Sequence, residues 1–241
     1  MSESVKGAIV TGASSGIGLA VSRSLCRLGY EVYGIGRDFE KDEVYKVSEE
    51  MGIHFHEIVC DVLDTNKLCG KVKEISSGCG IELLINNAGV GYYGLHEELS
   101  PAKIQEMVRI NLEVPMILTQ QLLRTLKKNS GIIINISSVT AGKSNPHGCA
   151  YGATKAGLSS FCSSLFDEAR KYGLKVVTIQ PDMVKTNLYR NADFCEGEER
   201  ESYLLPQDVA EAVEYILSRR NGVVISEITL KPQLHRIRKK K

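Results

Sequence analysis

Residues 8–18 read Ala-Ile-Val-Thr-Gly-Ala-Ser-Ser-Gly-Ile-Gly, a short apolar run that passes into a glycine-rich turn. An amphipathic helical pattern over residues 17–28 follows at once. Such a turn lets the backbone approach a pyrophosphate, whose charge is favoured by free N–H groups and the helix dipole. The spacing G-x-x-x-G-x-G differs from the common G-x-G-x-x-G fingerprint. A tight loop that binds nothing is the alternative, and the position after the first strand of a strand–helix series disfavours it.

The rest of the chain alternates short apolar runs with helical patterns. We predict strands at residues 8–11, 31–36, 53–60, 81–86, 131–137, 175–180 and 223–230. We predict helices at residues 17–28, 39–51, 64–76, 101–128, 151–172 and 206–219. Strands that alternate with helices form βαβ units and a parallel sheet. No repeat or linker divides the chain, so we predict one doubly wound α/β domain.

Composition excludes several classes of protein. Of the 241 residues, 43% are hydrophobic and 24% charged, which is typical of a globular protein and not of a disordered chain or a disulfide scaffold. No apolar run reaches the ~18 residues of a membrane span, and the N-terminus lacks a signal-peptide pattern. We therefore expect a cytoplasmic protein without a membrane partner. Seven cysteines without a CxxC motif indicate reduced thiols, and His54 and His56 lack a third metal ligand, so we expect no metal.

The net charge of +1 conceals a basic C-terminus. Residues 231–241 hold six Lys or Arg and no acid, while the remaining 24 basic and 29 acidic residues leave a balance of −5. A basic tail can bind nucleic acid, a membrane or a partner, or it can be a solvated terminus. Because the body of the chain has no basic signature, we favour the solvated terminus and expect no nucleic-acid partner.

The end of the second predicted strand carries the signal for cofactor choice. Gly36 stands where an acidic residue would hold the ribose 2′-hydroxyl of NAD, and Arg37 follows it. A guanidinium can make a charge-assisted fork to a 2′-phosphate, which favours NADP(H). In the alternative, Arg37 is a solvated surface residue and Asp38 serves NAD(H).

Tyr151 and Lys155 are spaced i and i+4 near the start of a predicted helix, so they share a face. Tyrosine has a pKa near ~10 and is a poor base, but a neighbouring ammonium lowers that pKa. The pair is therefore a workable acid/base unit. Ser138, at the end of the preceding strand, could hydrogen-bond the same substrate oxygen.

Together these residues resemble the short-chain dehydrogenase/reductase family over nearly the whole chain. Thr11 to Gly18 resembles its cofactor loop, Asp61-Val62 its adenine-contacting pair, and Asn86-Asn87-Ala88-Gly89 its fourth-strand signature. The resemblance implies a catalytic set of Asn111, Ser138, Tyr151 and Lys155. The implied cofactor contacts are Gly12, Ser14, Ser15, Gly16, Ile17, Gly18, Arg37, Asp61, Val62, Asn87, Ala88, Gly89, Tyr151, Lys155, Pro181, Val184 and Thr186.

The resemblance also implies architecture and activity. The fold would be a Rossmann-like three-layer sandwich whose seven parallel strands follow the order 3-2-1-4-5-6-7. Hydride would pass between NADP(H) and a ketone or secondary alcohol, with NAD(H) possible. Tyr151 would donate the proton, Lys155 would lower its pKa, Ser138 would orient the substrate oxygen, and Asn111 would hold a water. A homodimer or homotetramer is the usual assembly.

One departure from the family pattern concerns the substrate. Pro181-Asp182 stands where the family usually has Pro-Gly, so Asp182 either recognises a polar substrate group or caps the next turn. The implied substrate contacts are Ser138, Thr140, Tyr151, Tyr92 and Asp182. Tyr92 and Tyr93 equally suit core or interface packing. We place the domain at residues 1–230, with a substrate lid at about 183–205, and a basic tail at 231–241.

The substrate is left open by these residues. Alternatives to a general ketone reductase are a 3-hydroxy-acid dehydrogenase, a hydroxysteroid dehydrogenase and a 3-oxoacyl carrier reductase. A different class, a nucleotide-binding redox sensor without turnover, is disfavoured because it does not need all four catalytic residues.

Overall fold

Seven parallel strands form the central sheet of the computed structural model, which describes residues 6–40 and 52–240, with only the backbone at Ile53. In chain order the strands are β1 (Lys6–Thr11), β2 (Tyr30–Gly36), β3 (Phe55–Val59), β4 (Ile81–Asn86), β5 (Ile132–Ile136), β6 (Lys175–Pro181), β7 (Phe194–Glu196), β8 (Glu227–Leu230) and β9 (Ile237–Lys239). The sheet order is β3-β2-β1-β4-β5-β6-β8, and every pairing within it is parallel. The predicted order 3-2-1-4-5-6-7 is confirmed.

Helices cover both faces of this sheet. They are α1 (Gly16–Arg27), α2 (Thr65–Gly78), α3 (Pro101–Val108), α4 (Val114–Lys128), α5 (Cys149–Ala169) and α6 (Pro206–Leu217). Successive strand residues point to opposite faces, so Ile9 packs with α2, α4 and α5 whereas Val10 packs with α1 and α6. Two buried clusters result, one on each side of the sheet. The predicted three-layer Rossmann-like sandwich is therefore confirmed.

The predicted helix at 101–128 is interrupted by a π-helical turn at Arg109–Glu113. Pro115 lies in the first turn of α4. Proline has no N–H, so it cannot donate to the carbonyl of Asn111, four residues earlier. The wider π turn accommodates that missing bond, and it presents Asn111 from a distorted segment and not from a regular helix.

Other predicted boundaries shift at element ends. The strand predicted at 53–60 is Phe55–Val59, because Gly52–His54 forms a 3₁₀ turn, and the strand predicted at 223–230 shortens to Glu227–Leu230. Of the helix predicted at 39–51, Phe39 and Glu40 are not helical, and the other residues lie outside the described ranges.

A small antiparallel pair, β7 with β9, was not predicted. Phe194 lies opposite Lys239, Cys195 opposite Arg238, and Glu196 opposite Ile237. The C-terminal segment therefore returns across the region predicted as a lid, and the expectation of a purely solvated terminus is wrong. The segment's side chains remain exposed while its backbone is paired.

All seven cysteine thiols are free. Within the described ranges, no helix combines the length and apolar character that crossing a membrane requires. In the same part of the chain, no group of three or more His, Cys, Asp or Glu side chains is arranged to hold a metal ion.

Candidate active site

A cleft opens at the carboxyl ends of β1, β2, β4, β5 and β6, where open α/β sheets place their ligands. Sixteen of the seventeen residues expected to contact a cofactor line this cleft. They are Gly12, Ser14, Ser15, Gly16, Ile17, Arg37, Asp61, Val62, Asn87, Ala88, Gly89, Tyr151, Lys155, Pro181, Val184 and Thr186. The fold thus brings segments from most of the chain to one edge of the sheet.

The glycine-rich turn forms the floor of the cleft at the start of α1. Gly12 and Gly16 have φ of 67° and 52°, in the region that glycine adopts without strain. Ser15 precedes α1 and makes no side-chain capping bond, so the first N–H groups of the helix are left for another acceptor. Gly18 is the exception among the predicted contacts. A Cβ there would lie 2.2 Å from the Gly12 carbonyl oxygen, so Gly18 serves packing and does not line the cleft.

Two polar side chains hold the turn against β4. The Thr11 hydroxyl oxygen accepts from the N–H groups of Asn87 and Ala88, at 3.1 and 3.0 Å. The Asn87 amide donates to the carbonyl oxygen of Thr11 at 2.9 Å. These bonds join the ends of β1 and β4, so the cradle is rigid.

Arg37 and Asp38 differ in their relation to the cleft. Arg37 lines it and is exposed. Asp38 does not line the cleft, and its carboxylate accepts from the backbone N–H of Glu40 at 2.9 Å. The guanidinium, and not the carboxylate, is therefore placed to meet a ligand at the end of β2. Asp61 also lines the cleft and accepts from the N–H of Leu63 at 2.9 Å.

Tyr151, Lys155 and Ser138 meet at the inner end of the cleft. Helix α5 presents the first two, and the Lys155 Nζ atom lies 5.9 Å from the centroid of the Tyr151 ring. Lys155 donates to the carbonyl oxygen of Ile136 at 2.8 Å. A hydrogen bond links the side chains of Ser138 and Tyr151. Ser137 turns away, as strand alternation predicts, and bonds the backbone of Lys155 and the Ser159 hydroxyl.

Burial dominates the ionisation of this pair. Desolvation raises the pKa of Tyr151 to about 12, although the hydrogen bond with Ser138 acts in the opposite direction. Desolvation lowers the pKa of Lys155 to about 8. The expected lowering of the Tyr151 pKa by Lys155 is not observed, because burial penalises the phenolate and the Lys155 Nζ atom lies 5.9 Å from the ring centroid. Tyr151 is therefore protonated at neutral pH.

Asn111 is fully buried behind the cleft. Its amide nitrogen donates to the Val90 carbonyl at 2.9 Å and to the Thr154 hydroxyl at 3.1 Å, and its oxygen accepts from the Val90 N–H at 2.9 Å. The side chain therefore fixes the loop that follows Gly89. Asn111 itself does not line the cleft.

Of the two tyrosines after Gly89, the structure brings Tyr93 and not Tyr92 to the site. The Tyr92 hydroxyl donates to Glu106 at 2.7 Å, and its ring faces Lys103. The Tyr93 ring centroid lies 5.6 Å from that of Tyr151. Adjacent residues in an extended loop point in opposite directions, which corrects the expectation for Tyr92.

Two aromatic residues of the lid segment pack on Tyr93, and of these three rings only that of Tyr189 lines the cleft. Tyr189 and Phe194 lie 5.9 and 5.1 Å from Tyr93 by ring centroids, and 5.6 Å from each other. Both residues fall inside the lid predicted at about 183–205, and their aromatic character was the available signal.

Asp182 caps the turn that follows it and also lies at the cleft. Its carboxylate accepts from the Met183 N–H at 3.0 Å, as a turn cap does, and the residue also lines the cleft. The other carboxylate oxygen lies 3.7 Å from Nδ1 of His235. Thr140, the remaining predicted substrate contact, does not line the cleft, although its buried hydroxyl has no partner among the described residues.

The lid segment reaches across to the glycine turn. A Cβ at Gly16 would lie 3.1 Å from the Thr186 methyl group, and the Thr186 hydroxyl accepts from the N–H of Leu188 at 3.3 Å. Backbone bonds between Met183, Lys185 and Leu204 close the base of the segment. The cleft is thus covered from one side by residues that follow β6.

The fold and this site define a member of a known class. The family model for short chain dehydrogenases matches residues 6–194, and the chain belongs to that family. It is accordingly an oxidoreductase of the class that acts on CH–OH and C=O groups.

Individual relatives are similar along nearly their whole length. An uncharacterized oxidoreductase of Staphylococcus epidermidis is 30% identical over 229 residues, which cover 94% of this chain and 97% of that protein. A serine 3-dehydrogenase of Rhizobium radiobacter is 31% identical over 232 residues, covering 93% of this chain and 92% of that protein. The crystal structure of an alcohol dehydrogenase from the archaeon Thermococcus sibiricus, complexed with 5-hydroxy-NADP, has a TM-score of 0.86 at 26% identity and covers 98% of this chain and 100% of that one.

Proposed function

We propose that this chain is an NADP(H)-dependent oxidoreductase that interconverts a ketone and a secondary alcohol. One observation carries the proposal: a protonated, buried Tyr151 bonded to Ser138 lies in the same cleft as an uncapped helix N-terminus and Arg37. Tyr151 and Ser138 can protonate and orient a carbonyl oxygen, and the helix N-terminus and Arg37 can bind the phosphates of a dinucleotide.

The residues present fit such a cofactor. Glycine at 12 and 16 lets the backbone of the turn line the cleft without side chains, and an added Cβ at Gly12 would lie 3.0 Å from the Cα of Ala88. Helix N–H groups can bind the pyrophosphate, and Arg37 can bind a 2′-phosphate. The alcohol dehydrogenase from Thermococcus sibiricus, with its NADP derivative, supports this choice. NAD(H) is the less favoured alternative, because the Asp38 carboxylate is engaged by Glu40.

The chain's own residues supply acid catalysis and positioning. NADPH, when bound, supplies the hydride. The Tyr151 hydroxyl donates its proton to the carbonyl oxygen, and Ser138 orients that oxygen. The Lys155 ammonium group, held by the Ile136 carbonyl oxygen, stabilises the negative charge of the phenolate that Tyr151 becomes. Asn111 holds the loop that begins at Val90 and thereby positions the wall of the cleft.

The substrate class has several candidates. Similarity to a serine 3-dehydrogenase favours a 3-hydroxy acid or hydroxy amino acid, and Asp182 could receive a polar group on it. A hydroxysteroid and a 3-oxoacyl carrier are alternatives. A non-catalytic nucleotide sensor is disfavoured by the complete set of Asn111, Ser138, Tyr151 and Lys155.

We further propose a cytoplasmic homodimer or homotetramer built from one domain, residues 1–230. Exposed apolar side chains on α3 and α4, Val108 and Met116, support self-association through this side of the molecule. Free thiols throughout suit a reducing compartment.

Titration of the purified chain with NADPH and NADH, followed by nicotinamide fluorescence, tests the proposal. The chain has no tryptophan, so the signal does not depend on tryptophan energy transfer. We expect tight NADPH binding, weak NADH binding, and oxidation of bound NADPH on addition of a ketone or 3-oxo acid. Binding of neither nucleotide contradicts the proposal.

A further inference from the structure

The C-terminal segment lies directly on the lid segment. Strand β9 pairs with β7, and further backbone bonds extend the contact: the Leu234 N–H donates to Glu201 at 2.9 Å, and the Lys240 N–H donates to Asp193 at 2.7 Å. The Gly197 N–H donates to Arg236 at 3.0 Å. Backbone contacts therefore run from residue 234 to residue 240 without a long gap.

Charges reinforce this pairing. Arg236 bonds to Glu199, and Arg238 lies 3.3 Å from Glu198. The Lys240 ammonium donates to the Tyr189 carbonyl oxygen at 2.5 Å. Three basic side chains of the C-terminus thus contact acceptors on the lid.

The contacts reach the catalytic tyrosine through two routes. In the first, β7 carries Phe194, which packs on Tyr93, and Tyr93 packs on Tyr151. In the second, His235 lies 3.7 Å from Asp182, which lines the cleft. Neither route runs through the glycine turn or Arg37; the lid meets that turn at Thr186, which neither route includes.

We propose that residues 234–240 form a strap that fixes the lid over the substrate side of the cleft, with His235 and Lys240 as positioning residues for Asp182 and Tyr189. The strap buries little apolar surface, because β9 is exposed along its length. Hydrogen bonds and exposed ion pairs hold it, and such contacts are individually weak. The strap can therefore open and close without disturbing the core, and its disruption should affect substrate more than cofactor.

A charge-reversal series in the full-length chain tests the strap without deleting it. The variants are R236E/R238E, the fourfold variant that adds E198R/E199R, and the control R27E. Arg27 makes a comparable exposed ion pair with Glu214, 3.3 Å away, between α1 and α6. In R236E/R238E the C-terminal segment should repel the lid, and in the fourfold variant the reversed charges should attract each other again. R27E should not change the contact between the two segments.

The first readout, backbone amide hydrogen exchange, needs no substrate. In R236E/R238E the amides of residues 193–201 should exchange on the order of 10-fold faster, since two ion pairs become repulsive. The fourfold variant should return to within about 2-fold of the parent. Unchanged exchange in R236E/R238E overturns the strap.

The second readout separates substrate from cofactor and rests on the proposed function. KM for the carbonyl substrate should rise on the order of 10-fold in R236E/R238E, with the NADPH dissociation constant within about 2-fold of the parent. If R236E/R238E weakens substrate and NADPH equally, or changes neither value, the positioning role is wrong. If the parent binds no NADPH, the proposed function fails, and hydrogen exchange still decides on the strap.

Discussion

The ammonium group of Lys155 donates a 2.8 Å hydrogen bond to the carbonyl oxygen of Ile136, the last residue of β5. This bond joins the first turns of α5 to the strand end from which Ser138 follows two residues later. The lysine is buried and its Nζ atom lies 5.9 Å from the Tyr151 ring, so one contact sets the spacing of all three groups. The carboxyl end of β5, to which the lysine side chain is bonded, therefore positions the proposed acid/base site.

Tyr151→Phe should abolish turnover and leave NADPH binding nearly intact. The change removes the hydroxyl that donates the proton and keeps the ring that packs on Tyr93. We expect a loss of 10²-fold or more in kcat, on the order of what a general acid contributes. Steady-state kinetics and nicotinamide fluorescence measure the two effects. Tyr172→Phe, on an exposed tyrosine at the end of α5, is the matched control, and substantial residual activity in Tyr151→Phe would rule out the acid role.

Arg37→Ala should weaken NADPH and spare NADH. A charge-assisted fork to a 2′-phosphate is worth about 1.5–3 kcal/mol, so the NADPH dissociation constant should rise about 10- to 100-fold. Asp38→Asn is the control, because that carboxylate accepts from Glu40 and lies outside the cleft. Fluorescence titration of each variant with both nucleotides gives the comparison. Equal weakening of both nucleotides by Arg37→Ala would remove the phosphate argument.

Lys155 should make stability depend on pH above neutrality. Burial lowers its pKa to about 8 from an ordinary 10.5, so between these values the unfolded chain binds more protons than the folded chain. The free energy of unfolding therefore gains a contribution that rises with pH from about 8. The raised pKa of Tyr151 opposes this only above its ordinary value of 10.

Urea unfolding of the parent and Lys155→Met at pH 7, 8 and 9 isolates that contribution. The stability of the parent relative to the variant should increase across this range, because only the parent sheds a buried charge. A pH-independent difference would mean that Lys155 does not titrate in the folded chain as its burial implies.

Glu31 should contribute stability that disappears in acid. Its carboxylate lies 2.6 Å from Nδ1 of His54 and 2.7 Å from Nε2 of His56, and these hydrogen bonds lower the pKa of Glu31. The contribution is present above the ordinary pKa of 4.5 and is lost as pH falls through the lower folded value. Glu31→Gln should thus be less stable than the parent near pH 7, with the gap closing below pH 4.

Thermal unfolding across that range measures the Glu31 effect. Glu211→Gln, at an exposed position of α6, removes a carboxylate without breaking this link between β2 and β3. A Glu31→Gln deficit that persists unchanged below pH 4 would assign the effect to packing and not to charge.

Local sequence patterns were sufficient to predict most strands of the sheet and the glycine-rich turn of the cleft. The turn at Gly12, Gly16 and Gly18 follows β1 directly, and Tyr151 and Lys155 share one helix face, so neighbours along the chain are also neighbours in space. One available signal was missed: Pro115 removes a helix donor, and the π turn before it follows from that loss.

Residues a few positions apart, or in regular alternation, were enough to predict the strand–turn–helix start, a parallel sheet and the shared helix face of Tyr151 and Lys155. The order of the strands was predicted from the family resemblance. Only the tertiary structure decided that Tyr93 and not Tyr92 faces Tyr151, that burial raises the Tyr151 pKa to about 12, and that β9 pairs with β7. These outcomes depend on desolvation and on contacts between distant segments. Three-residue strands such as β7 and β9 have no periodic pattern from which their pairing could be predicted.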